Sequence, residues 1–168
     1  VHVNPAPGGK PLPEITLLRM YGELLDRDPG LGARYLALLE KLVRTEPENP
    51  LVLAALGRKE AREKNPAADR EAARHLRRAM ERGFQGPAAF EDLAEVLARA
   101  GKAEEAVAVL ERGIALEPFA PVLQKGLILR LIGLQRYDRA RAAMEHYVET
   151  FPEDSFMRGL LAQVSGRP

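Results

Sequence analysis

In the second half of this chain two pairs of prolines stand 34 residues apart, Pro87 with Pro121 and Pro118 with Pro152. Between them two stretches run in register. Phe90, Leu93, Ala94, Leu97, Gly101, Ala106, Leu110, Gly113 and Pro118 are answered 34 positions later by Gln124, Leu127, Ile128, Leu131, Gln135, Ala140, Met144, Tyr147 and Pro152. A fixed period of this length, carried by apolar and small residues, implies a stack of similar units. One unit cannot bury its apolar face alone, so each covers its neighbour. An irregular helical bundle has no reason to repeat at 34,.

Each unit reads as a pair of helices. Helical stretches are expected near 14–27, 31–45, 50–64, 69–82, 87–100, 103–117, 121–134, 137–150 and 155–165, with Ala, Leu, Arg and Glu dominant,. No segment alternates with period two for long enough to argue a strand. Asn49 precedes Pro50, so its side chain can cap free N–H groups while the proline has none to waste,. Gly83, Gly86 and Gly101 fall between helices, where a left-handed residue is expected,. A unit upstream shows Pro50, Leu53, Leu56 and Gly57, then Ala72, Leu76 and Ala79. Its second helix lies three residues late, which implies an insertion around Asn65-Pro66-Ala67. A degenerate unit covers roughly 15–47, with Leu18, Tyr21, Gly22, Leu25, Tyr35, Leu39, Leu42 and Pro47, and a lone terminal helix follows Ser155. Residues 1–13 hold four prolines and two glycines and read as a tail or linker,.

The pattern of a large residue, Leu, a small residue and another large residue on the first helix, then Ala, a large residue, a small one and a closing Pro, resembles the tetratricopeptide repeat family. Leu stands at several positions where that family carries aromatics. The resemblance covers about 150 of the 168 residues. It implies an all-α, right-handed α-solenoid of stacked antiparallel helix pairs over 14–168, with units 15–47, 50–86, 87–120, 121–154 and the helix 155–165. It also implies that first helices line a concave groove. Carried over, that register points Arg19, Glu23, Arg58, Arg62, Glu91, Glu95 and Lys125 toward the groove. Arg58 and Arg62 are then expected to face Glu91 and Glu95 of the next unit. The Lys, Asn and Arg set with which similar chaperone-binding domains hold a peptide carboxylate is not reproduced. Ala54, Arg58, Asp92, Val122 and Gly126 stand at those offsets, which disfavours chaperone C-termini as ligands.

The search for chemistry returns nothing. The chain lacks cysteine, which removes disulfides, thiolate catalysis and the common zinc sites,. Ser155 and Ser165 sit in no nucleophile context. His2, His75 and His146 have no ligand partners at metal spacing, and no cofactor is expected. Carboxylates fall beside basic residues at helical spacing, as in Glu60–Lys64 and Asp138–Arg141, and read as solvated faces. Arg70, Arg74, Arg77, Arg78 and Arg82 make a basic stripe. Glu71 and Glu81 interleave with it and net charge is +1, which disfavours a nucleic-acid partner,. No apolar run reaches the ~18 residues of a membrane span. A soluble chain is expected, cytoplasmic in preference to exported; it begins at Val1, which reads as excision from a longer protein.

One helix stands out. PVLQKGLILRLIGL (121–134) is apolar nearly all round,. The repeat core accounts for Leu127, Ile128 and Leu131 but not for Val122, Leu129 and Ile132, which would point into the groove beside Phe156 and Leu160. Either these five form an apolar patch for a partner, or the terminal helix buries them. The expected function is therefore a protein- or peptide-binding repeat module, an adaptor or scaffold and not an enzyme. Self-association as a dimerisation element is the alternative.

Overall fold

The computed structural model describes residues 13–25 and 27–165, so all but Pro13 of the proposed tail lies outside the described residues. Among the described residues there are nine α-helices, one short 3₁₀ turn at Pro29–Leu31 and no strand. The helices are α1 (Glu14–Leu24), α2 (Gly32–Thr45), α3 (Pro50–Ala61), α4 (Pro66–Glu81) and α5 (Pro87–Arg99). They continue with α6 (Ala103–Leu116), α7 (Pro121–Gly133), α8 (Tyr137–Thr150) and α9 (Ser155–Ser165). α1 packs on α2, α3 on α4, α5 on α6 and α7 on α8; the first helices α1, α3, α5 and α7 also touch in succession, and α9 closes on α8.

Local chemistry starts these helices where they start. Proline is the first residue of α3, α4, α5 and α7, a position whose N–H has no intrahelical acceptor,. Asn49 Oδ1 accepts from Leu51 N at 3.0 Å and Asn65 Oδ1 from Ala68 N at 2.9 Å. Each loop between a first and a second helix from α3 onward turns through one left-handed residue: Lys64 (φ 51°), Gly101 (φ 76°) and Gln135 (φ 58°). Gly83 is left-handed as expected, but Gly86 is not. It precedes α5 with φ −62°, and a Cβ there would meet the Phe84 ring at 2.7 Å.

Small residues set how closely the helices of a pair approach. Ala106 and Ala140 are 0% and 2% exposed. At Gly57 an added Cβ would lie 2.7 Å from Leu76 Cγ and 3.1 Å from the Ala72 carbonyl, so α3 and α4 cross at a distance only glycine permits,. Phe90, Leu93, Leu97, Leu110 and Leu123 fill one continuous cluster across three units.

The insertion takes a different form from a longer loop. α4 begins at Pro66 and not at 69, while α1 and α3 end earlier than the sequence suggested, at Leu24 and Ala61. Second helices start at a constant distance from first ones (Pro50 to Pro66, Pro87 to Ala103, Pro121 to Tyr137). Yet Ala72 lies six residues into α4, where Ala106 lies three into α6. The added residues are thus nearly one whole turn at the start of α4. Asn65 makes that turn possible by capping it.

Candidate functional site

The helices α1, α3, α5 and α7 carry most of the residues that the sequence assigned to a groove. Arg19 and Glu23 pair at 4.0 Å on α1, and both line, with Arg58 and Leu51, a recess of about 470 Å³. Arg58 does not take Glu91 or Glu95 as its partner. Its Nε donates to Asp92 Oδ2 at 2.6 Å. One residue is about 100° of helix, so Arg58 reaches the side of α5 that faces α3, not the stripe that looks outward. Glu95 is held by Arg99 at 3.3 Å and, from the following unit, by Arg130. Glu91 is left among charges of both signs. Burial pushes its carboxyl up, Asp92 and Glu95 push the same way, and Arg130 and Arg58 pull back,. Arg62 has no ion-pair or hydrogen-bond partner for its side chain among the described residues.

Lys125, expected to face a ligand, is tied to the chain itself. Its Nζ lies 2.7 Å from Asp154 Oδ2 and 5.3 Å above the Tyr147 ring. Asp154 also accepts from the Tyr147 hydroxyl at 2.9 Å and from Met157 N at 3.1 Å, the second bond capping α9. Lys125, the Met157 amide and Tyr147 together draw the Asp154 carboxyl down to about 2. An Asp-Ser pair before a helix is a capping signal, so the cap was readable in sequence; the lysine was not.

Four of the five apolar candidates are open to solvent: Val122 at 42%, Leu129 at 64%, Ile132 at 38% and Phe156 at 75% exposure. Leu160 is not part of that surface. It is half-buried and packs with Ile128, Met144, Tyr147 and Met157, because α9 leans that side onto α8. The terminal helix therefore covers the core end of the solenoid and leaves the outward stripe of α7 bare.

Other pairings differ from the sequence expectation. Glu60 meets His75 across the α3–α4 pair, with Nδ1 2.7 Å from Oε2, and not Lys64; Lys59 pairs with Glu63 instead. Arg141 pairs with Glu145 at 3.8 Å, not with Asp138. Most of the arginine stripe on α4 is consumed by carboxylates. Arg74 pairs with Glu71, Arg77 with Glu105, and both Arg78 and Arg82 with Glu48. Arg139–Glu111 and Arg136–Glu104 continue the same stitching between units. Among the described residues no group of three or more His, Asp or Glu could hold a metal ion, and no helix is long and apolar enough to cross a membrane.

No family model matches the chain, and no curated protein matches it. Solved structures do. MamA from Desulfovibrio magneticus RS-1 superposes with a TM-score of 0.66 at 21% identity over 90% of this chain and 84% of that one. TTC0263, a thermophilic TPR protein of Thermus thermophilus, gives 0.65 at 20% identity over 90% of each chain. YrrB, described as a TPR protein with an unusual peptide-binding site, gives 0.64 at 18% identity over 93% and 78%. The fold is therefore that of the tetratricopeptide repeat α-solenoids.

Proposed function

We propose that this chain is a protein-binding repeat module, an adaptor or assembly scaffold, which takes a partner's apolar segment on the outward stripe of α7 and the start of α9. The observation that carries the reading is the exposure of Val122, Leu129, Ile132 and Phe156, the first three at offsets where α5 has Ala88, Glu95 and Ala98. Apolar side chains aligned on one face of a soluble surface mark interaction sites more often than scattered ones do. The peptide-binding site named for YrrB is consistent with this use of the fold,.

Leu129→Asp tests the reading. The side chain touches solvent, so circular dichroism and melting should match wild type while capture of a partner is lost. Light scattering over a range of concentrations separates a second copy of the chain from a different protein as that partner. A folded Leu129→Asp protein that keeps its partners removes the proposal.

A further inference from the structure

The stack contains two versions of one niche, and in only one of them does the arginine have a carboxylate partner. Between the start of α4 and the end of α5 lies a recess of about 460 Å³ lined by Asp69, Ala73, Val96, Arg99 and Ala100. There Arg99 grips Asp69 with two bonds, Nε to Oδ2 at 3.0 Å and Nη2 to Oδ1 at 2.5 Å, and Nη2 also donates to the Ala61 carbonyl at 2.9 Å. Asp69 is a buried charge that this fork neutralises, and Arg99 holds its carboxyl below the ordinary range,.

One unit earlier, between the start of α2 and the end of α3, lies a recess of about 430 Å³. Its lining includes Gly32, Leu36, Lys59, Arg62 and Glu63, each 37 positions before its counterpart in the filled niche. Arg62 stands where Arg99 stands. Gly32 stands where Asp69 stands, so the guanidinium is present and the carboxylate is not. Nothing else described compensates: Glu63 is tied to Lys59 at 3.2 Å, and Arg58 to Asp92. Tyr35 lines the same recess with a hydroxyl that makes no hydrogen bond among the described residues. Its ring lies over Gly22, and Leu25 and Leu36 complete an apolar wall.

From this internal comparison we propose that the recess between the first two units is a binding site for an Asp or Glu side chain, flanked by an apolar residue, on an extended segment of a partner protein. Arg62 takes the carboxylate, the Tyr35 hydroxyl donates a further bond, and Leu25 and Leu36 receive the neighbouring side chain. A side-chain carboxylate is favoured over a chain terminus because the filled niche is satisfied by one, presented at the same place by Asp69. The site is separate from the apolar stripe of α7, and the two stand or fall independently.

The test uses acetyl-Leu-Asp-Leu-amide and its Asn analogue, followed through the Arg62 Nε–H and Tyr35 ring resonances by NMR. The Asp peptide should shift both signals saturably and the Asn peptide neither. Arg62→Gln should weaken binding by about tenfold or more, the factor expected when a charge-assisted hydrogen bond is removed. A second pair of variants needs no ligand. A Cβ at Gly32 meets nothing within 4 Å and the residue is helical (φ −54°), so Gly32→Asp and Gly32→Asn should both fold. Gly32→Asp supplies the missing carboxylate; it should melt higher than Gly32→Asn and lose the peptide. Equal melting of those two, binding unchanged in Arg62→Gln, or binding only by a peptide with a free C-terminal carboxylate would each overturn the proposal. An Asp peptide that shifts neither signal would do the same. Leu129→Asp should leave every one of these readouts as in wild type.

Discussion

Two stretches of the same face, α5 and α7, share a backbone frame 34 residues apart and differ in what they present. On α5 the outward offsets hold Glu91 and Glu95, enclosed by Arg58, Arg99 and Arg130 from its own and adjacent units. On α7 those two offsets hold Lys125, tied to Asp154, and Leu129, which touches little but solvent. Between the two helices the core offsets barely change: Leu93 and Leu97 give way to Leu127 and Leu131. The lesson is that this chain separates two sets of positions. One set fixes how units stack, and the other is free to be polar and cross-linked at the centre and apolar and open toward the C-terminal end.

The largest expected effect tests that separation directly. Leu110 is fully buried, so Leu110→Ala should cost about 2–5 kcal/mol, while Leu129→Ala should stay within about 0.5 kcal/mol,. Denaturant titration measures both, and equal costs would erase the distinction. Next come the crossings: Ala106→Leu and Ala140→Leu should each lose roughly 1–3 kcal/mol by overpacking, read from thermal melts,. Acid should then act on the cross-links and spare the open stripe. Asp69 and Asp154 have folded values below their ordinary one, so their contribution is complete above about pH 4. It is lost as pH falls toward about 2, the Asp154 value,. Protection of the α9 amides, taken relative to their intrinsic exchange rate at each pH, should fall over that interval in wild type, and much less so in Lys125→Met. The smallest effect concerns the loops, which belong with the stacking set. Gln135→Gly relieves a left-handed non-glycine residue and should gain less than about 1 kcal/mol, by differential scanning calorimetry,.

Much of the stacking set was legible because it depends on period alone. Helix starts at Pro50, Pro87 and Pro121 and the burial of Ala106 and Ala140 follow from offset and residue size, whereas the exposure of Leu129 was one of two outcomes the period left open. Pairing partners were not legible. Arg58 with Asp92, Glu60 with His75 and Lys125 with Asp154 are decided by the tilt between units and by the reach of long side chains, neither of which a period encodes. Leu160 failed for a related reason, since α9 has no companion helix to hold it in the register of the others. Arg99 and Asp69 lie 30 residues apart on different units, and no local motif announces them.

The extra turn of α4 has a consequence for how the gene can vary. Tandem arrays gain and lose whole copies when misaligned strands recombine. Excision of residues 87–120 removes one period and joins α4 to Pro121, where an equivalent proline begins the next helix, but it takes Arg99 away, puts Gly133 at that offset and leaves Asp69 buried without its partner. Excision of residues 53–86 removes the same number of codons but discards α4 with Asp69, and Arg99 loses its acceptor. Either excision therefore breaks the Asp69–Arg99 pair, so the units on the two sides of it can be lost together but not singly. The turn that carries Asp69 thus works as a clasp in the array, joining the second and third units into one heritable block.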